Sequence, residues 1–262
     1  WVDGAEDGPM IVVTGPAKSG RTAALVSAGF LAGLIGARFL FKRAWPDSIA
    51  ISFATAFSNG GVLGLPITAR AYGDDAIGYN FAIIAFHAPF VYIITTTAME
   101  IVRAEGRSAG ATVFSVLRSM SHNPMIIGIA LGALTNLSGV TVPGPVASAV
   151  DMVAASAIPA ALFGLGGVLA AYKPEGDLRL VAYIVAVSLV MHPAIVFGLG
   201  QLFDIGIGQT RSAVLMAAMA PGVNAYVFAS MYGVAKRVSA TAVLAGTAVS
   251  ILSIWLWLSV LP

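Results

Sequence analysis

The residues of this chain that could do chemistry are few and mostly uncharged. Two segments stand out, SNGGVLGLP over Ser58–Pro66 and APGVNAY over Ala220–Tyr226. Each sets one asparagine among helix-breaking residues: Asn59 with Gly60, Gly61, Gly64 and Pro66, and Asn224 with Pro221, Gly222 and Val223. Glycine and proline at this density do not hold a regular helix, so backbone groups are freed. Freed N–H groups and helix N-termini attract an anion. An amide side chain can donate to a carboxylate or hold an unwound backbone. These residues point to substrate binding; the competing structural account is that both asparagines only satisfy the broken backbone.

A second pair of candidates is His87 and His192, the ionisable groups near the middle of hydrophobic runs. Histidine titrates near neutral pH, so the functional reading is proton coupling. Each lies beside a proline, Pro89 and Pro193. The competing account is a neutral imidazole bonded to a carbonyl that the proline frees. No Asp or Glu lies at such depth, so a sodium site would need backbone carbonyls. Asp47 and Asp151 stand where helix N-caps go. Arg70 reads as a snorkelling interfacial cation. Trp255 and Trp257 read as interface anchors.

Catalytic patterns are missing from the sequence. No HExxH pair, GxSxG elbow or deep carboxylate pair occurs. Cysteine is absent, so there is neither a thiolate metal site nor a cysteine nucleophile. Residues 11–22, IVVTGPAKSGRT, imitate a phosphate-binding loop through Gly15, Gly20 and Thr22, but Arg21 stands where lysine belongs. The helix after it would be a membrane span, so the segment reads as a polar linker. The expectation is a protein that is not an enzyme, with no cofactor, no metal site and no nucleic-acid partner.

The elements that must position these residues follow from hydropathy. Of 262 residues 58 % are hydrophobic and 10 % charged, with mean hydropathy +0.89. Soluble domains run nearer a quarter charged. A bilayer core of about 30 Å needs roughly 20 apolar residues as helix. Eight such runs occur, at 22–41, 48–71, 76–102, 123–140, 148–171, 179–203, 211–233 and 238–261. They are too long and too continuously apolar for barrel strands, which alternate. The expected fold is therefore an all-α polytopic membrane protein.

The charges orient these spans. Arg38, Lys42, Arg43, Arg103, Arg107, Arg118, Lys173, Arg179, Lys236 and Arg237 fall on one side; the opposite connections hold Arg70 and Arg211, and the N-terminal segment adds Lys18 and Arg21. The basic side should be cytoplasmic, which puts both chain ends outside. Ser48 to Ser58 spans about 16 Å of helix, and Ser212 to Ala220 about 13 Å. Half the bilayer core is about 15 Å, so both interruptions fall near the midplane. They are entered from opposite faces, as a pair of inverted repeats requires, and such paired breaks mark a transporter's binding site. Span 22–41 then pairs with 179–203, 48–71 with 211–233, and 76–102 with 238–261. Spans 123–140 and 148–171 have no partners. A five-plus-five repeat therefore expects ten helices, two of them before Trp1. The domain reading is a polar extracytoplasmic segment at 1–21, the last three helices of a first repeat at 22–102, a cytoplasmic loop at 103–122 and a second five-helix repeat at 123–262.

On four segments the chain resembles the auxin efflux carrier family, in its bacterial malonate-type, PIN-like permease branch. They are FSNGGVLGLPITARAYG (Phe57–Gly73), HNPMIIGIALG (His122–Gly132), IPAALFGLGGVLA (Ile158–Ala170) and MAPGVNAYVFASMYGV (Met219–Val234). The resemblance covers roughly residues 22–262, and the last segment is the most specific. It implies two inverted five-helix repeats, an N-terminally truncated chain, and elevator-like exchange of an organic anion across the cell (inner) membrane. It also implies a mobile part carrying the two breaks, a scaffold part holding 123–140 and 148–171, and a homodimer through the scaffold helices. Plant members carry a proline where this chain has Asn224, so auxin is not the implied substrate. The alternatives are a sodium-coupled bile-acid or arsenite-type carrier, and a non-transporting membrane subunit or membrane enzyme.

Overall fold

A backbone in lipid must satisfy its polar groups within itself, and this chain does so with helices. The computed structural model describes residues 27–104, 108–122, 124–171 and 177–262. The segment 1–21, the phosphate-loop imitation at 11–22 and the first residues of span 22–41 lie outside the described residues. Helix α1 is Ser27–Leu40 and closes in a π-helical turn, Gly36–Leu40. It is followed by α2, Trp45–Ala56. Helix α3 covers 60–72, opening as a π-helical turn, Gly60–Gly64, and continuing as Leu65–Tyr72. Then come α4 (Ile77–Arg103), α5 (Ala109–Ser121), α6 (Pro124–Ser138) and α7 (Gly144–Ala171). Helix α8 is Leu178–Leu202, with a π-helical turn at Val187–Met191. The last three are α9 (Ile207–Ala217), α10 (Val223–Tyr232) and α11 (Lys236–Val260).

The protein is an all-α polytopic membrane protein. Each of the eight apolar runs contains a helix, and the two carrying the glycine and proline clusters are the two that break, into α2 with α3 and α9 with α10. Among the described residues no strand forms, and α4, α8 and α11 are each long and apolar enough to cross a membrane unbroken. The connection 103–122 carries α5, an amphipathic helix of 13 residues. That is too short to span a bilayer, which is why a search for apolar runs passes over it.

Contacts divide the chain into two compact units. The second, Tyr92–Lys173, holds the end of α4 with α5, α6 and α7. In it Ser115 Oγ donates to Glu100 Oε2 at 2.7 Å, fastening α5 to α4. Leu137 and Phe163 are 83 % and 86 % exposed there. Lipid tails are as apolar as leucine, so such exposure carries no penalty in a bilayer. Asp151 lies inside α7 rather than at its start, so it is not an N-cap.

The first unit joins Trp1–Val91 to Pro174–Pro262. Helix α2 is its centre, with every residue from Ser48 to Ala56 buried. Thr55 Oγ1 donates to the Gly29 carbonyl at 3.0 Å, and Tyr183 Oη to the Ala32 carbonyl at 2.8 Å, so α1 is held by both α2 and α8. Asp47 does not cap its own helix. Its Oδ1 accepts the N–H of Ala235 at 2.9 Å, at the entrance to α11.

Pro193 explains the π-helical turn in α8. Proline has no N–H for the carbonyl four residues earlier, which is Leu189. That carbonyl instead accepts from Ser253 Oγ at 2.7 Å and Trp257 Nε1 at 3.2 Å, both on α11. The freed carbonyl is thus taken by α11. Trp257 is therefore a core residue and not an interface anchor, whereas Trp255 is 71 % exposed.

Candidate functional site

The two interrupted spans meet at their interruptions. Helix α2 stops at Ala56, and Phe57 turns extended, at φ −96° and ψ 90°. Helix α9 stops at Ala217, and the chain reaches Gly222 extended, at φ −68° and ψ 152°. Ser58 and Pro221 then pair as an isolated antiparallel bridge. The Asn59 N–H donates to the Ala220 carbonyl at 2.8 Å, and the Gly222 N–H to the Phe57 carbonyl at 2.8 Å. Each break thereby supplies the partners that the other has lost. Outside water an unpaired amide or carbonyl costs several kcal/mol, so the crossing stabilises both interruptions together.

Beyond the bridge, both chains return at once to helix. Asn59 sits at φ −77° and ψ 53°, and the Gly60 N–H reaches back to the Ser58 carbonyl at 2.8 Å, an inverse γ-turn. The Asn59 carbonyl then accepts from Leu63 at 3.1 Å and from Gly64 at 3.2 Å, which starts the π-helical turn. Pro66 lies in the first turn of the α-helical part, where its missing N–H is tolerated. Helix α10 starts at Val223, directly after Gly222. No side chain of the residue before either helix caps it. Two uncapped N-termini, each with partial positive charge, thus begin within two residues of one bridge.

Of the candidate residues, Asn59, Gly60, Gly64, Pro221 and Gly222 are buried, Val223 and Asn224 are half-buried, and Gly61 and Pro66 are exposed. The crossing brings Asn59 beside Ala220 and Gly222 through the backbone, and it sets Asn224 three residues from the bridged Pro221.

The histidines also come to this place. The His87 ring centroid lies 5.4 Å from that of Phe57, whose carbonyl takes the Gly222 N–H. His87 Nε2 is buried without a hydrogen-bond partner. His192 is 3 % exposed, and its ring lies against Gly29, beside the Thr55 carbonyl. The two imidazoles come from different spans, α4 and α8, and flank the end of α2.

Several residues of the site do not announce themselves in the sequence. Met216 fills the space beside Gly60 and Gly64; a Cβ at either glycine would run into its side chain. A Cβ on Gly246 of α11 would stand 2.6 Å from Pro221 Cδ, so that glycine lets α11 approach the second break. Asn80 is fully buried and donates Nδ2 to the Gly64 carbonyl at 3.5 Å. Phe53 stacks on Phe57 at 4.9 Å and on Phe228 at 4.7 Å, joining α2 to α10. The one legible signal among these was the spacing of Gly60 and Gly64, a small-xxx-small pair that admits a close neighbour.

The profile of the family described as membrane transport protein matches residues 21–258. The chain belongs to that family. It is the auxin efflux carrier family, which the four sequence segments resemble. One relative, from Rhizobium meliloti (strain 1021), is named "Putative malonate transporter". It is 25 % identical over 219 residues, which cover 82 % of this chain and 68 % of the relative. The family membership makes this protein a membrane transporter, and in it the paired interruptions occupy the first compact unit.

Proposed function

We propose that the protein is a secondary carrier for a small organic anion, a mono- or dicarboxylate, bound where the two broken spans cross. The observation that carries this reading is the Ser58–Pro221 bridge with a helix N-terminus just beyond each strand of it. Two positive helix ends and two asparagines near one point suit a carboxylate. The relative's name, which specifies malonate, supports the same class of substrate. In this reading His87, against Phe57, and His192, by the Thr55 carbonyl, supply the proton coupling. The protein works as a permease and not as an enzyme.

Alternating access in this reading is elevator-like. The compact unit holding the crossing is the moving part, and α6 with α7 belong to the scaffold, through which two copies associate. The division of the chain into two units at Val91 and Pro174 supports that assignment. The basic connections face the cytoplasm, and the protein resides in the cell membrane with Trp1 and Pro262 on the outer side.

The test is uptake of labelled malonate by proteoliposomes holding the purified chain, with an imposed pH gradient and with or without sodium. Accumulation driven by the pH gradient and indifferent to sodium is the expected result. Accumulation that requires sodium would instead favour a bile-acid or arsenite-type carrier. Binding with no accumulation under any gradient would sink the carrier reading.

A further inference from the structure

The end of α1 and the start of α8 border a cavity of about 820 Å³, lined by Leu40, Phe41, Asp177, Leu178 and Arg179. Among the described residues Arg179 and Asp177 line it, and Arg38, Lys42 and Arg43 flank its lining residues Leu40 and Phe41 in sequence. The Asp177 carboxylate is already committed. Its Oδ2 pairs with Arg43 Nη2 at 3.0 Å, and its Oδ1 accepts the Leu180 N–H at 3.4 Å as the N-cap of α8. Arg38 is also engaged, donating Nη1 to the Arg43 carbonyl at 3.0 Å with its guanidinium 5.0 Å from the Trp45 ring centre. Lys42 and Arg179 are exposed, and among the described residues neither has an acidic partner. Among the described residues the corner therefore keeps more positive than negative charge beside the cavity.

The apolar side chains here are as informative as the charges. Leu40 and Leu178, which line the cavity, are 67 % and 61 % exposed, and Phe39, the residue before Leu40, is 68 % exposed. A free anion in water has no use for such neighbours. A phospholipid does, since its phosphate seeks cations while its acyl chains cover apolar surface. The cations and apolar residues stand at the ends of two apolar helices, α1 and α8, and the ends of membrane helices are where headgroups lie.

We propose that this cavity binds the phosphate of an anionic phospholipid headgroup, with Lys42 and Arg179 supplying the charge and Phe39, Leu40 and Leu178 receiving the acyl chains. The bound lipid bridges α1 and α8, as the Arg43–Asp177 pair does. The site is distinct from the helix crossing and does not depend on which anion the protein carries.

The experiment is thermal unfolding of the purified full chain in mild detergent, titrated with phosphatidylglycerol, phosphatidylcholine or glycerol 3-phosphate. Phosphatidylglycerol should raise Tm by several degrees, whereas the other two at equal concentration should not. In K42Q/R179Q at least half of that rise should vanish; R211Q, which removes a cation from the first half of α9, should keep it whole. Both substituted residues are exposed, so the double variant should fold, and R179K should restore most of the response. Equal stabilisation by phosphatidylcholine, or a full response in K42Q/R179Q, would overturn the proposal. Glycerol 3-phosphate acting as strongly as the lipid would overturn the lipid assignment in favour of a free phosphate ester.

Discussion

Ser58 and Pro221, 163 positions apart, pair as an antiparallel bridge between two helices that each stop to make it. The bridge uses the Phe57 and Ala220 carbonyls and the Asn59 and Gly222 N–H groups. Pro221, which has no N–H, occupies a position where none is called for. Steric crowding at Gly222 follows. A Cβ there would stand 3.1 Å from Phe57 Cδ1 and 3.4 Å from the Phe57 carbonyl oxygen, the acceptor of its own N–H. Gly222→Val should therefore lower stability by roughly 1–3 kcal/mol, the range for overpacking, and reduce uptake more than Gly222→Ala does. Thermal unfolding and proteoliposome uptake on the two variants check this; wild-type behaviour of the valine variant would refute it.

Met216 and Gly64 offer a test of packing at the first break. A Cβ at Gly64 would lie 2.5 Å from Met216 Sδ. Gly64→Ala should destabilise by about 1–2 kcal/mol, and Met216→Ala in the same chain should return part of that loss. The double-mutant cycle should show a coupling above about 0.5 kcal/mol. Strict additivity would mean that the two residues do not touch.

Asn59 is buried, and its backbone, not its side chain, makes the crossing bond. Asn59→Ala should leave the bridge intact and weaken organic-anion binding by roughly 10–150-fold, about 1.5–3 kcal/mol for a lost hydrogen bond to a charged group. Asn224→Ala should act in the same direction. Calorimetric titration of malonate against each variant is the measurement, with unchanged affinity in both as the outcome that counts against the site.

His87 and His192 flank the end of α2, one against Phe57 and the other against Gly29. If they carry the coupling proton, His87→Gln and His192→Gln should each flatten the dependence of uptake on the pH gradient while leaving counterflow exchange of substrate largely intact. A retained pH-gradient dependence in both variants would assign coupling elsewhere.

The stack of Phe57, Phe53 and Phe228 joins the two broken spans through their rings. Phe53 and Phe228 are both fully buried. Truncating either to alanine should cost about 3–5 kcal/mol. Chemical or thermal unfolding measures it, and a loss well below 1 kcal/mol would show that lipid fills the space.

Much of this was legible in the sequence. Hydropathy gives the spans, because a bilayer demands runs of apolar helix, and the glycine and proline clusters mark which spans break. It does not give α5, whose amphipathic 13 residues carry no span-length signal. It misplaces Trp257, because an aromatic near a span end looks the same whether it anchors at the interface or reaches inward to a carbonyl that a distant proline has freed. Asp47 is misjudged for a similar reason, since its partner Ala235 is remote in sequence.

The sequence by itself determined that the chain crosses a membrane as helices, where two of them are interrupted, and which polar side chains stand at the interruptions. These are local properties, set by residue type and by the length of an apolar run. Only the tertiary structure decided that the interruptions pair with each other, that Met216 and Gly246 shape the space around them, and that two histidines from different spans share one neighbourhood. Those outcomes depend on contacts between residues far apart in the chain. Unpaired backbone in lipid must find a partner, but nothing in its own sequence says which partner it will find.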